Sequence, residues 1–308
     1  EIGKLLGAVD ATYLRKPKTE LRKENRIKTI QSSLQIEGNS LSIEQISAIF
    51  DNKVVAGPPK DIKEVQNAIE LYENLEEFDP FKEKSYLVAH KLLMRGLIQG
   101  AGKYRTKGVG IFKGNKVAHM APPAKSVARL MKNLFEYLKE SEDSLIIKSC
   151  VFHYEMEYIH PFMDGNGRMG RLWQTVLLMK ENPVFEFLPI ETEIRNRQEE
   201  YYHALSIADK QGISTKFVEF MLAIIKKSLE QLLKEQRSSL SDQERITYFR
   251  EHSDKTEFTR KDYLNMFKNI STATATRDLK KGVELGFFIK NGDNRISKYV
   301  FKGFEKTK

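Results

Sequence analysis

A twelve-residue run, His-Pro-Phe-Met-Asp-Gly-Asn-Gly-Arg-Met-Gly-Arg at 160–171, lies between two apolar helical stretches and dictates a helix-loop-helix at the centre of the chain. Pro161 forbids continuation of the helix before it. Gly165 and Gly167 let the backbone turn with φ > 0 and bring its N–H groups close to an anion, and the helix that follows, apolar at Leu172, Val176, Leu177 and Met179, adds the positive end of its dipole. One imidazole, one carboxylate, one amide and two guanidiniums in so short a loop are the makings of a phosphate site. His160 stands just ahead of the glycines, where it could take a proton, and Asp164 is a hard oxygen ligand of the kind through which Mg2+ reaches a protein together with substrate phosphates.

The run resembles the signature of the Fic family, H-P-F-x-[D/E]-G-N-G-R-x-x-R, and agrees with it at every specified position. The resemblance implies a mainly α fold, a Fic-type helical core with a short β-hairpin flap. It also implies transfer of AMP from ATP, with Mg2+, to a Tyr, Thr or Ser hydroxyl of a protein substrate, the chain itself included. On that reading His160 is the base and Asp164 holds the metal between the α- and β-phosphates. Gly165, Asn166 and Gly167 receive the α-phosphate, Arg168 meets the β-phosphate and Arg171 the γ-phosphate, while Phe162 buries beneath the loop. Kinases of the Doc type depart from G-N-G-R, which this chain keeps.

A second short string, Ser33-Leu34-Gln35-Ile36-Glu37-Gly38, resembles the inhibitory helix motif of the same family, [S/T]-x-x-x-E-[G/N]. Ser33 and Glu37 are four apart and share a helix face. The segment from Thr19 to Ile36 has a helical pattern, with Leu21, Ile27, Ile30 and Leu34 on one side, and Gly38-Asn39 stops it. The resemblance implies that Glu37 pairs with Arg171 and withholds it from the γ-phosphate, since carboxylate on guanidinium is a strong contact. ATP bound beside such a pair would be misaligned for attack at the α-phosphorus.

Between these two motifs the pattern is helical over 42–50, 61–78 and 84–99, with a break at Gly57-Pro58-Pro59. Residues 100–123 differ. Val109–Phe112 and 116–119 flank Lys113-Gly114-Asn115 as a hairpin. In Fic proteins a flap of this kind holds the target by main-chain pairing, which casts Val109, Gly110, Ile111, Phe112 and His119 as target-positioning residues. Helices follow at 124–140, 144–159, 168–180, 191–209 and 215–237. Tyr201 and Tyr202 stand as candidates to border the adenine, against the alternative of core packing. A metal reading of His153, Glu157 and His160 fails on spacing, and His90 reads as a helix-surface or core histidine rather than a ligand. Cys150, the single cysteine, lies in the apolar run 145–152 and reads as a core thiol compatible with a reducing cytoplasm. No apolar run approaches the roughly 18–20 residues needed to span a bilayer.

The last segment is more basic than the rest: residues 240–308 carry 15 Lys/Arg against 10 Asp/Glu, +5 of the overall +9. Its three short helices (242–251, 259–267 and 271–284) and a hairpin (287–290 with 296–301 around Asn291-Gly292-Asp293-Asn294) resemble a winged helix. Such a module offers DNA the residues 271–298: Ser271, Thr272, Thr274 and Arg277 in the major groove, Lys280 and Lys281 toward phosphates, Lys290 and Arg295 on the wing. Asp278, Glu284 and Asp293 interrupt that patch. The expected organisation is an N-terminal helical region (1–80, inhibitory helix about 19–38), a Fic core (81–228) and a winged-helix domain (240–308). Alternatives are removal of AMP at the same site with Glu37 aligning water, or a DNA-binding regulator. A homo-oligomer is compatible with the sequence.

Overall fold

The computed structural model describes residues 1–11, 19–113, 116–253, 255–267, 270–292 and 297–302. The chain packs as two compact units, Glu1–Leu229 and Glu230–Lys308. Helix α1 (Ile2–Ala11), outside the expected helices, precedes α2 (Thr19–Ile36), the expected inhibitory helix. Ile27, Ile30 and Leu34 of α2 are buried, so the N-terminal region and the core of the first unit share one hydrophobic interior. Helix α3 (Ile43–Phe50) starts at a capping box in which Ser42 accepts from the Gln45 amide and Gln45 answers the Ser42 amide. Helix α4 (Pro59–Glu73) begins with Pro59 in its first turn and gives way to a 3-10 turn at Leu75–Glu77, short of the expected end at 78.

Helix α5 (Glu83–Leu93) ends six residues before the expected Gln99. The reason is tertiary: the Asn67 amide of α4 donates to the carbonyls of Leu93 and Arg95 at 3.0 and 2.8 Å, and Gly96 then turns the chain at φ 74°. The hairpin expected at 109–119 is present, with β1 (Gly110–Lys113) antiparallel to β2 (Lys116–Met120) and a register shift between Ile111 and Phe112. The turn residues Gly114 and Asn115 and the side chains of 111–120, those of Ile111, Phe112 and His119 among them, lie outside the described residues.

Helices α6 (Ala124–Glu140), α7 (Leu145–Ile159) and α8 (Asn166–Glu181) follow. From Arg168 to Leu178 every residue of α8 is buried, as befits a central helix. Gly170 permits the close approach of α7, because a Cβ there would stand 2.8 Å from the His153 ring and 2.9 Å from Glu157 Oε1. Trp173, Tyr86, Phe152 and Phe162 form the aromatic centre, with Tyr86 stacked on Phe162 at 5.4 Å and edge-on to Trp173 at 5.1 Å. Cys150 is buried, and burial pushes its thiol up to about 12. The single helix expected at 191–209 is two, α9 (Ile190–Asn196) and α10 (Gln198–Gln211). The break falls at Arg197, whose φ of −123° is not helical and whose guanidinium lies 5.0 Å over the Phe220 ring. Helix α11 spans Thr215–Ser239.

In the second unit α12 (Asp242–His252), β3 (Glu257–Thr259), α13 (Arg260–Met266), α14 (Thr272–Glu284), β4 (Phe288–Asn291) and β5 (Lys298–Phe301) surround a core of Phe249, Phe258, Tyr263, Phe267, Leu279 and Phe288. The sheet order is β3-β5-β4, all antiparallel. Asp278, expected to interrupt a basic surface, faces inward. It is buried, accepts from Arg245 Nε and Nη2 at 2.6 and 3.0 Å, and takes the Tyr263 hydroxyl at 3.1 Å. Residues 293–296, with Asp293 and Arg295, lie outside the described residues. Among the described residues no helix is long and apolar enough to cross a membrane.

Candidate active site

The loop between α7 and α8 is held from within and from below. His160 closes α7 in the left-handed region, at φ 51° and ψ 60°, with its N–H donating to Met156 O at 2.9 Å. Gly165, at φ 87°, opens α8. The Asn166 amide bridges the loop, accepting from Phe162 N and donating to Phe162 O, both at 2.9 Å. Its side chain thus holds the loop shut from within. Gly167 does not need a positive φ, contrary to expectation. It needs the absence of a side chain, because a Cβ would collide with Glu37 Oε1 and come within 3.1 Å of Arg171 Nη1.

Below the loop, Phe162 is fully buried, as expected, and stacks on the His90 ring at 3.5 Å and 5°. The Gly102 N–H donates to His90 Nδ1 at 2.8 Å, which leaves Nε2 to carry the proton it gives to Asp164 O at 3.0 Å. Burial pushes this imidazole down to about 4, so it is a neutral strut with a defined tautomer. His90 therefore supports the loop from inside the core. Met94, on the turn after α5, completes that floor, its Sδ lying 2.8 Å from where a Gly165 Cβ would be.

The charged groups converge from three elements. Arg171 of α8, 1% exposed, donates from Nη2 to Glu37 Oε1 at 2.7 Å and to Ser33 O at 2.9 Å, and from Nε to Ser33 Oγ at 3.1 Å. Glu37, at the end of α2, is 33% exposed. Burial works against the charge on Arg171, but the Glu37 carboxylate, together with Tyr201 and Glu157, outweighs it and holds the guanidinium above its ordinary value. Arg168 donates to Asp164 Oδ1 at 2.9 Å and to Glu64 Oε1 at 3.0 Å. Its guanidinium is thus paired twice. Glu64 in turn accepts from the Asn39 amide at 2.9 Å. The Asp164 side chain is 45% exposed, with Oδ1 also taking the Gly165 N–H at 2.6 Å. One accessible carboxylate at the mouth of a helix N-terminus suits a hard divalent cation shared with phosphates, so the residues present fit Mg2+.

Of the two tyrosines, Tyr201 packs in the core: it is buried and its hydroxyl meets His153 Nε2 at 3.0 Å. Tyr202 is 41% exposed, with Gln198 donating to its hydroxyl at 3.4 Å. His153 spends its other nitrogen on Gln174 Oε1 at 2.7 Å.

Comparison with known proteins agrees with the loop. The Fic/DOC family profile matches residues 80–178. A crystal structure of a Fic family protein from Desulfovibrio desulfuricans G20 is 39% identical, covers 99% of this chain and 94% of its own, and superposes with a TM-score of 0.74.

The chain belongs to the Fic/DOC family.

The protein adenylyltransferase Fic of Nematostella vectensis is 29% identical over 224 residues, which is 68% of this chain and 49% of that protein, and its namesake of Drosophila mojavensis is 26% identical over 216 residues. The chain spans less than half the length of these curated relatives. Fic-1 of C. elegans (residues 134–508), 23% identical over 78% of this chain, shares the fold at a TM-score of 0.62. Within the Fic fold, Glu64, Met94 and Arg105 also hold the loop, though no sequence motif marks them. Each reaches the loop only through tertiary contact.

Proposed function

We propose that the chain transfers AMP from ATP to a protein hydroxyl and that Glu37 restrains it. The observation that carries this reading is the meeting of Glu37, Ser33 and Arg171 beside an intact His160–Arg171 loop. Two of the matched relatives bear the name protein adenylyltransferase. In the reaction, His160 Nδ1 is oriented by Glu157 O at 3.4 Å; with the ring proton on that side, Nε2 carries the lone pair that accepts the proton of the attacking hydroxyl. The hydroxyl oxygen bonds to the α-phosphorus as the bond to the bridging β-phosphate oxygen breaks, and pyrophosphate leaves. The N–H groups at the start of α8 face the developing charge. Asp164 would hold Mg2+, which would supply charge neutralisation for the phosphates. Arg171 meets the γ-phosphate once Glu37 withdraws, and Arg168 must exchange Asp164 or Glu64 for phosphate. The β1–β2 hairpin is the surface on which an extended target segment would pair.

Incubation of the full chain with α-labelled ATP and Mg2+, followed by mass spectrometry, tests this. A mass gain of AMP on the chain or an added protein, lost in His160→Ala, is expected. Label that persists without His160 would overturn its assignment as the base.

The second unit we read as a winged helix. With Asp278 buried, the exposed side of α14 presents Thr272, Arg277 and Lys280, and Arg260 of α13 donates to Thr276 at 3.2 Å. Duplex DNA titrated against the full chain at several salt concentrations tests whether this face takes phosphates. Binding that weakens in Arg277→Ala supports it, and no binding at 50 mM salt refutes it.

A further inference from the structure

The loop before the hairpin carries a cation that the scheme above leaves unused. Arg105 is 3% exposed, yet its guanidinium bonds four main-chain carbonyls from three separate segments. Nε donates to His160 O at 2.8 Å, and Nη2 donates to Ile159 O at 3.2 Å and to Pro122 O at 2.6 Å; Nη1 donates to Lys107 O at 2.9 Å. Its own N–H donates to Pro161 O at 2.9 Å. Ile159 is the last residue of α7 and His160 its left-handed C-cap, and the final carbonyls of a helix have no partner within it. Lys107 and Pro122 are the two feet of the β1–β2 hairpin, just before Gly110 and just after Met120.

A buried guanidinium is expensive unless each donor is met, and here the bonds are spent on joining segments rather than on a charge pair. The segments joined are the ones that transfer must keep in register. His160 sits in the left-handed region, a conformation that costs a non-glycine residue about 1–2 kcal/mol. Its carbonyl and that of Ile159 are pinned by the same group that pins the hairpin. A planar fork of five donors can span four carbonyls at once; an ammonium with three donors on a point charge cannot.

We propose that Arg105 is a positioning residue that locks the His160 backbone to both feet of the hairpin, so that a polypeptide paired with the hairpin presents its hydroxyl at the imidazole. This rests on the reading of the chain as an AMP transferase with a target-holding flap. Arg105 touches neither nucleotide nor target; it fixes the distance between the base and the surface that delivers the acceptor.

The test uses the full chain with Glu37→Gly as the active parent, and adds Arg105→Ala or Arg105→Lys. ATP affinity, read by calorimetric titration, is expected to stay within about twofold, because the phosphate loop after His160 keeps its own anchors. Transfer of label at saturating ATP is expected to fall about 100-fold in both variants, the scale of a displacement near 1 Å. Guanidinium chloride at millimolar concentration, with sodium chloride as control, restores at least about tenfold of the rate in Arg105→Ala and nothing in Arg105→Lys. Amide exchange rises together at the hairpin and at His160. Transfer within about twofold of the parent in both variants overturns the proposal, as does a loss that guanidinium does not relieve and that ATP affinity matches. Arg105→Lys keeps the stem and charge and carries the test if the alanine variant does not fold. A parent that takes no label counts against the transferase reading instead. The exchange measurement then still decides the clamp, and faster exchange at the hairpin without a change at His160 overturns it.

Discussion

Removal of Glu37 should make the chain less stable and more active at once, and ATP should repay the lost stability. Glu37 Oε1 lies 2.7 Å from Arg171 Nη2, with the guanidinium fully enclosed and the carboxylate two-thirds covered. At a separation of about 4 Å between charge centres and an effective dielectric near 20, the attraction is at most about 4 kcal/mol. Loss of one partner leaves Arg171 with Ser33 O and Ser33 Oγ, so part of the hydrogen bonding survives. Glu37→Gln is therefore expected to cost about 2 kcal/mol in the absence of nucleotide, below the range of roughly 3–5 kcal/mol for a buried cation left unpaired. A γ-phosphate on Arg171 replaces the lost carboxylate. The rise in thermal midpoint on addition of saturating ATP and Mg2+ should be larger in Glu37→Gln than in the parent, and AMP labelling should rise with it. Scanning fluorimetry with and without ATP, alongside label incorporation, measures both. Equal ATP shifts in the two proteins, or equal labelling, would refute competition between carboxylate and phosphate for one guanidinium.

Three further outcomes follow from the contacts. Glu191 is buried with its Oε1 taking the Tyr72 hydroxyl at 3.2 Å, and burial raises its carboxyl to about 7. The stability it contributes is complete below the unfolded value of 4.5 and is lost as pH rises through 7, on the order of 3 kcal/mol, and Glu191→Gln should flatten urea-denaturation stability across that window. Gly165→Ala should lower stability by at least about 1–2 kcal/mol from the left-handed backbone alone, more once the methyl meets Met94 Sδ, with a corresponding fall in melting temperature. Asp278→Ala removes the partner of buried Arg245 and should cost the second unit roughly 3–5 kcal/mol, seen as loss of amide protection confined to residues 242–301.

The double pairing of Arg168 changes the view of how the site is restrained. Glu64 reaches it from α4, and Asn39, two residues beyond Glu37, bonds the same carboxylate. Withdrawal of the α2 end would therefore disturb partners of both arginines, since Asn39 and Glu37 lie on one short stretch of chain. The network gives each charged side chain of the loop a counterpart: Asp164 and Glu64 for Arg168, Glu37 for Arg171.

Much of the first unit was legible in the amino-acid order because its signals are local. Pro161, Gly165 and the apolar spacing after Arg171 are conformational constraints carried by single residues, and they place a helix end, a left-handed turn and a helix start wherever they occur. The Ser33 and Glu37 spacing likewise guarantees a shared helix face. The structure departs from the local pattern where a distant residue decides the outcome: Asn67 captures the carbonyls of Leu93 and Arg95 and ends α5 early, and Asp278 turns inward to Arg245. The sequence by itself determined which groups could bind a phosphate and in what order they stand along the chain. The tertiary structure alone decided that Arg168 faces Glu64 and that Arg105 ties His160 to the hairpin, because Glu64 stands 104 positions from Arg168 and His160 stands 55 from Arg105, and no local pattern records such contacts.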